Sequence, residues 1–535
     1  MLKKLFHPMQ VTSMQLIALV ALFWMVFANF SLVAALVHDY PLTVKNAPFL
    51  GTAFLGFTAV IIIVLSVVCM RWTIKPLLSL LLISTAMTAY FMDTYHVIID
   101  DLMIRNTLET DVHEVSDLFS VHMLGYLLLL GILPACFVWR STIIFQPLHR
   151  ELLSRLKWVA ALLLAVGVLF FLQSAVITSF FREHKPIRFY ANPSSYLFGL
   201  ARHVSKEVSA IRGVAPLAAF GRDARIPATD VRRELIVMVV GETTRADRFS
   251  LNGYQKHTNP LLEKQNVVSF AHVQSCATLT AISVPCIFSG LGEEGFTVAK
   301  ARRKENIVDT LNHAGVHVLW RDNNSSSKGV ADRVTYQDYR SPSVNPVCDE
   351  ECRDEGMLVG LQDYVNAQPE GDILIVLHQM GNHGPAYYKR YPASFEKFKP
   401  VCKTNELADC SQDEINNAYD NAILYTDYFL DKTIEFLKNN DGKFQVAMLY
   451  AGDHGESLGE NNIYLHGLPN FLAPEAQRHV PMILWLGNNF EGMDIATAMA
   501  KKDRSLSHDN IAHTLLGLME IQTGVYKKDL DLLKD

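Results

Sequence analysis

The sequence predicts a membrane-anchored α/β protein. An N-terminal transmembrane domain of five helices leads into an external α/β domain with a mainly parallel sheet. Three observations carry this. Five apolar runs crowd the first third of the 535 residues. From residue 231 onward, short apolar runs alternate with helical segments, the pattern of a sheet covered by helices. Six of the eight cysteines lie in that second part, closely spaced. Half of the chain is hydrophobic and the mean hydropathy is +0.15. A net charge of −6 and a pI near 6.3 leave no basic excess, which argues against a nucleic-acid partner.

The apolar runs cover residues 11–37, 49–70, 76–92, 121–139 and 158–181. Each suits a bilayer, which needs about 20 residues per crossing. The first is too long for a removable signal peptide and lacks a small-residue cleavage site. Lys3, Lys4, Arg71, Lys75, Arg140, Arg150, Arg155 and Lys157 fall on one side if the N-terminus is inside. The opposite loops carry Lys45 and Arg105. The basic side is cytoplasmic, so the N-terminus is expected in the cytoplasm and the chain after the fifth run outside. In a bacterium that means the inner membrane and the periplasm. The expected domains are 1–181 for the membrane part, with an external loop at 93–120, then 182–230 as interfacial helix and linker, then 231–535. Residues 103–110 and 194–204 suit short helices lying at the interface. Gly, Ala and Pro mark 213–229 as a linker.

Cys69 and Cys136 lie inside apolar runs and are expected as buried free thiols. The other six pair most simply with their neighbours, as Cys276–Cys286, Cys348–Cys352 and Cys402–Cys410. Six cysteines allow about 15 pairings. Three local disulfides imply an oxidising compartment, which agrees with the charge rule. Zinc held by cysteines is the weaker alternative, because paired knuckle spacings are missing.

In a parallel sheet, ligands bind beyond the carboxyl ends of the strands. Residues 235–240 read as a buried strand and release Gly241, Glu242, Thr243, Thr244 and Arg245. Residues 316–320 release Asp322, Asn323 and Asn324, with Lys328 close behind. Residues 373–377 release His378 and then His383, and residues 444–450 release Asp453, His454 and Glu456. After a further strand at 267–273 comes a hydroxyl-rich turn, residues 275–286, with a cysteine near its start and another at its end. Thr280 in that turn is a hydroxyl offered near a helix start, which would favour a phosphate.

Glu242, Thr280, Asp453 and His454 form a mixed O/N set for one divalent cation, suited to zinc or manganese better than calcium. Glu456 flanks it as a supporting or salt-bridging group. His383 and His466 suit a second metal or general acids. His257, His272, His313 and His317 have no supporting context and read as structural. A metal against a hydroxyl points to phosphoryl or sulfuryl transfer, with a covalent phospho-threonine splitting it into two steps. Asn324 and Lys328 could hold the equatorial phosphate oxygens.

Gly241-Glu242-Thr243-Thr244-Arg245-Ala246-Asp247, the turn from Ser275 to Cys286, Asp322-Asn323-Asn324, His383-Gly384-Pro385 with Arg390-Tyr391-Pro392, and Gly452-Asp453-His454-Gly455-Glu456-Ser457 resemble the lipid A phosphoethanolamine transferases. That family includes intrinsic and mobile colistin-resistance enzymes and belongs to the alkaline phosphatase superfamily. The resemblance spans the chain, the five-span anchor included. It implies an alkaline phosphatase/sulfatase-like fold for the external domain. It implies zinc at Glu242, Thr280, Asp453 and His454, with Thr280 as nucleophile. It gives His383 and His466 to the substrate phosphate or a second zinc, and Asn324 and Lys328 to the phosphoethanolamine group. It places Asn106 and Glu114 at a lipid-access cleft. Phosphatidylethanolamine is then the donor, lipid A the acceptor, and polymyxin resistance the consequence. Ser327 and Ala331 stand where some members have cysteines, and Ala277 where glycine is usual. Transfer to core sugars or other glycans, or of phosphoglycerol, is the alternative within the class. A sulfatase fits less well, since Ile287 stands where the Ser283-x-Pro285 element would need arginine. A sensor with a dead domain would not keep the four ligands.

Overall fold

The computed structural model describes residues 9–109, 117–174, 176, 177, 180, 185–212, 216–490 and 495–534. The longer N-terminal helices are α1 (Ser13–Phe27), α2 (Phe30–Asp39), α3 (Ala47–Val68), α4 (Ile74–Tyr95), α5 (Asp101–Glu109), α6 (Val121–Arg140), α7 (Leu148–Leu172) and α8 (Ser194–Arg212). The chain divides into two compact units. One holds Met1–Ile104 and Phe119–Ser205, the other Arg105–Leu118 and Lys206–Asp535.

In the first unit, among the described residues, four helices are long and apolar enough to cross a membrane: α3, α4, α6 and α7. The first apolar run is not one straight span. It is the pair α1 and α2, bent by 59°. Asn29 accounts for the break. It is buried between the two helices, and its amide donates to Trp24 O (3.0 Å) and Asn192 O (2.7 Å). Its Oδ1 accepts the Asn192 N–H at 2.8 Å. Counting the bent pair as one span gives five. Cys69 is a buried thiol as expected, but Cys136 is exposed, because it lies on the outer face of α6.

The second unit is built on an eight-stranded sheet. Its strands are β1 (Glu234–Gly241), β2 (Val268–Gln274), β3 (His317–Asp322), β4 (Thr335–Asp338), β5 (Ile373–His378), β6 (Gln445–Gly452), β7 (His479–Leu486) and β8 (Leu506–Ser507). They lie in the order β8-β2-β7-β6-β1-β5-β3-β4. All neighbours are parallel except β7, which runs antiparallel to β2 and β6. The central strands are buried along their whole length, which is why they read as continuous apolar runs. Alternation divides β1 between two cores. Ile236, Met238 and Val240 pack with Val284, Ile287 and Phe288 of α9 (Thr280–Ser289). Leu235, Val237 and Val239 pack with Ile423, Leu430 and Ile434 of α10 (Gln412–Lys438). Cys276–Cys286, Cys348–Cys352 and Cys402–Cys410 are all closed as disulfides.

Residues 105–109, 117 and 118, expected in the membrane domain's loop, cluster with the second unit instead. Asp117 is the reason. Its carboxylate accepts from Lys389 Nζ and Arg390 Nη2, both at 2.6 Å, and its carbonyl from Asn405 at 2.7 Å. Arg390 is buried, also pairs with Glu351, and donates Nε–H to His383 O at 2.6 Å. Removing one partner of a buried ion pair costs about 3–5 kcal/mol. Asp117→Ala should therefore speed hydrogen exchange in 105–109 and 389–391 by about tenfold or more in the full-length protein. The sheet should be unaffected. Unchanged exchange in those two segments would refute the clamp.

Candidate active site

β1 and β6 are parallel neighbours in register, with Gly241 opposite Gly452. Glu242 and Asp453 therefore leave the sheet at the same level, with His454 next in line. All three are fully buried. One ligand atom from each lies within 4.8 Å of the others. Glu242, His383 and His466 satisfy the same criterion, so the Glu242 carboxylate belongs to two adjoining groups.

The backbone around them is bent to serve these side chains. Thr243 sits at φ 53°, a strained region for a β-branched residue. That turn lets its N–H donate to Asp453 Oδ1 at 3.0 Å and its hydroxyl to Glu242 Oε1 at 2.5 Å. His454 N–H donates to the same Asp453 Oδ1 at 2.7 Å, and Asp453 Oδ2 accepts no hydrogen bond. His454 Nδ1 lies 3.0 Å from Gly455 O, which fixes the proton there and turns Nε2 inward. Gly381, at φ 54°, passes so close that a Cβ would stand 2.8 Å from Glu242 O.

Thr280 is the first residue of α9. Its Oγ1 lies 3.2 and 3.1 Å from the two Glu242 oxygens and 3.1 Å from His454 Nε2. The helix is held against the sheet by Ser283, whose hydroxyl donates to Asp453 O at 2.5 Å. A hydroxyl, a carboxylate pair and an inward imidazole nitrogen thus converge. The donor set is mixed O/N, and Asp453 Oδ2, which accepts no hydrogen bond and lies 3.4 Å from His454 Nε2, fits a bound cation.

Electrostatics agree. Burial works to raise the Glu242 carboxyl, and the neighbouring His454 ring overcomes it, holding Glu242 well below the usual carboxylate range. Burial, then the Glu242 charge, push Asp453 up to about 7. His454 is raised against its own burial by Asp453 and Glu242. Burial, then the His454 charge, push His466 down to about 3. Glu456 is raised by burial, and its Oε1 lies 3.3 Å from His466 Nδ1.

The other expected residues are placed as follows. Asn324 reaches the cluster, but through Glu242: its amide donates to Glu242 Oε2 and Gln379 O, both at 2.8 Å. Lys328 Nζ donates to Ser325 Oγ (2.7 Å), Ser325 O (2.9 Å) and Glu109 O (3.2 Å). It lines a cavity of about 500 Å³ rather than touching Thr280. Asn106 lies half-buried on α5, and Glu114 lies outside the described residues. None of His257, His272, His313 and His317 joins either group of candidate ligands.

Two buried supports have roles that sequence reasoning does not assign. Asp322 Oδ2 and His378 Nδ1 pair at 2.9 Å, and Asp322 Oδ1 accepts from Asn324 N–H and Ser326 N–H, which shapes the Asn324 loop. His508 lies 2.9 Å from Gly452 O through Nε2 and 3.2 Å from Ser283 Oγ through Nδ1, bracing the β6 terminus against α9. Asp322 is visible at the end of its strand. His508 has no local signal.

The sheet gathers acids and an imidazole at its carboxyl edge, against a helix that opens on a hydroxyl, and the domain that carries them is of the sulfatase class. Residues 234–521 match the sulfatase family. Residues 57–208 match the family described as phosphoethanolamine transferase EptA/EptB. Phosphatidylethanolamine transferase Mcr-2 of Escherichia coli is 42% identical over 527 residues, 96% of each chain. Phosphoethanolamine transferase EptA of Escherichia coli K12 is 37% identical, covering 100% of this chain and 99% of its own. The integral membrane lipooligosaccharide phosphoethanolamine transferase A of Neisseria meningitidis superposes with a TM-score of 0.93 at 34% identity, over 98% of this chain and 99% of its own. The chain belongs to the phosphoethanolamine transferase family.

The pKa directions give a test. Folding holds a proton on Asp453 that the unfolded chain releases. That contribution is complete below about pH 4 and is lost as pH rises through about 7. After chelation, the melting temperature should fall between about pH 6.5 and 8, above the range in which the depressed His466 opposes the trend. With a divalent cation restored it should not fall in that window, and metal affinity should rise with pH. A chelated protein with a flat profile across that window would contradict the assignment.

Proposed function

We propose that this chain transfers phosphoethanolamine from phosphatidylethanolamine to a phosphate of lipid A. The observation that carries the reading is Thr280 Oγ1 standing within 3.2 Å of both Glu242 and His454 at a helix start. Zinc held by Glu242, Thr280, Asp453 and His454 would lower the pKa of the threonine hydroxyl and offset charge on the phosphoryl oxygens.

The residues then have these tasks. Thr280 Oγ passes its proton to solvent water and forms the bond to phosphorus. The bond from phosphorus to the glycerol oxygen breaks, and diacylglycerol leaves with a proton supplied by His383, since His466 is held neutral. A lipid A phosphate oxygen attacks the phosphoethanolamine-Thr280 phosphorus, and the threonine oxygen departs and regains its proton. His383 and His466 serve the substrate phosphate or a second zinc. The α9 N-terminus faces the transferred phosphoryl group favourably. Asn324 positions Glu242 and, with Lys328, faces the phosphoethanolamine group. Asn106 and Glu114 belong to the lipid-access side.

The names of the relatives support the donor and the acceptor class: a phosphatidylethanolamine transferase and a lipooligosaccharide phosphoethanolamine transferase. The anchor spans the bacterial inner membrane five times with the N-terminus in the cytoplasm. Residues 1–181 supply that anchor, apart from the loop residues that pack with the second unit, with 182–230 the interfacial helix and linker and 231–535 the periplasmic catalytic domain. Both substrates are lipids, so an enzyme tethered at the bilayer surface meets them without desorption. An added ethanolamine cation reduces the attraction of lipid A for polymyxins.

Mass spectrometry of lipid A from cells expressing wild type should show a phosphoethanolamine-sized gain, absent with Thr280→Ala. A gain that survives Thr280→Ala would sink the nucleophile. No gain with wild type would move the acceptor to core sugars or another glycan.

A further inference from the structure

β1 begins as it ends, in a buried acid. Glu234 opens the strand that Glu242 follows, about 26 Å away at ~3.3 Å per residue. Asp230, Glu234 and Asp372 each bring an oxygen within 4.8 Å of the other two. Each carboxylate has its other oxygen anchored. Asp230 Oδ1 accepts from Arg232 N–H (3.2 Å), Glu234 Oε1 from the Gln445 amide (3.0 Å), and Asp372 Oδ1 from Glu234 N–H (3.0 Å). The remaining Asp230 Oδ2, Glu234 Oε2 and Asp372 Oδ2 are enclosed and accept no hydrogen bond. Glu234 and Asp372 are 0% and 3% exposed.

The nearest arginine answers them only in part, by its charge beside Asp372. Arg233 spends its guanidinium on the carbonyls of Gly371 (2.7 Å), Gln368 (3.0 Å) and Pro369 (3.2 Å), stacked over Phe444. Glu520 and Glu370 add negative charge around the cluster, and Lys534 acts on Glu520. Burial, reinforced by Asp372 and Asp230, pushes Glu234 up to about 9 when nothing positive is bound. One proton shared between Glu234 and Asp372 would satisfy two of the three orphaned oxygens and strand the third. One cation satisfies all three. Asp230, half-exposed, provides the way in.

We propose that Asp230, Glu234 and Asp372 form a second divalent-cation site, separate from the Glu242 cluster and matched to calcium. The donors are all carboxylate oxygens, the set that hard cations prefer and zinc does not. Calcium–oxygen distances of about 2.3–2.6 Å span ligand separations up to roughly 5 Å, whereas the ~2.1 Å of magnesium demands a tighter cage. The bound ion ties the starts of β1 and β5 to the segment entering the sheet, so its effect is on stability and not on transfer.

The test uses full-length protein in detergent with its catalytic metal retained, near neutral pH. Calcium at about 10 mM should raise the melting temperature by about 4 °C. Magnesium at equal ionic strength should do less. Glu234→Gln, which keeps the shape of a protonated glutamate, and Asp372→Asn should each abolish the response. Equilibrium dialysis with radioactive calcium should show an ion bound by wild type and lost in Glu234→Gln. A wild type that ignores calcium overturns the proposal, as does a response that persists in both variants. So does wild type that gains stability as pH falls from about 9 to 6 without binding calcium, because that is a shared proton.

Discussion

Two carboxylates buried side by side set the terms for the carboxyl end of the sheet. The parallel register of β1 and β6 forces Glu242 and Asp453 to emerge together. In a dry site, neighbouring like charges cannot both ionise unless a cation joins them. The groups that touch them are chosen for direction, not for charge. Glu242 receives the Thr243 hydroxyl and the Asn324 amide, and Asp453 receives two backbone N–H groups. Among the described residues no lysine or arginine donates to either. The His454 ring supplies part of the balancing charge, the proposed zinc would supply the rest, and the neighbouring groups supply orientation.

The same strand poses that problem at both ends and resolves it differently. At the carboxyl end, His454 turns a nitrogen inward, and the mixed donor set suits a borderline metal. At the amino end the candidate ligands are all carboxylates, and Arg233, whose charge acts on Asp372, gives its hydrogen bonds to carbonyls. Burial raises pKa values at both places, so burial alone does not separate a zinc-like site from a calcium-like one. The identity of the third donor does.

Much of this was legible because parallel strands, buried on both faces, write themselves as unbroken apolar runs. Residues 235–240, 316–320, 373–377 and 444–450 lie within or beside β1, β3, β5 and β6. Their C-terminal ends then pointed to Glu242, Asn324, His383 and Asp453. What stayed hidden depends on distant partners. β7 is an apolar run like the others, and nothing local shows that it enters antiparallel between β2 and β6. The α1–α2 break rests on Asn29 meeting Asn192, 163 residues away. Asp117 looks like one more loop acid until Lys389 and Arg390 close on it. His508 is a lone histidine whose partners come from β6 and α9.

The placement of Thr280 shows how tightly the proposed nucleophile is specified. A β-branched side chain has few χ1 choices, so its methyl group helps to aim the hydroxyl. The first turn of α9 adds unsatisfied N–H groups and a positive dipole end, both suited to a phosphoryl group. Three independent ties keep that turn from drifting: the Cys276–Cys286 disulfide, Ser283 on the Asp453 carbonyl, and His508 behind both. Each acts on α9 or on the β6 terminus, the two elements whose spacing fixes the distance from Thr280 Oγ1 to the inward nitrogen of His454. A loop could present the same hydroxyl. It could not hold it against the buried Glu242 carboxylate and the His454 ring with a tolerance of tenths of an ångström, and a hydroxyl proposed to share a cation with them needs that tolerance.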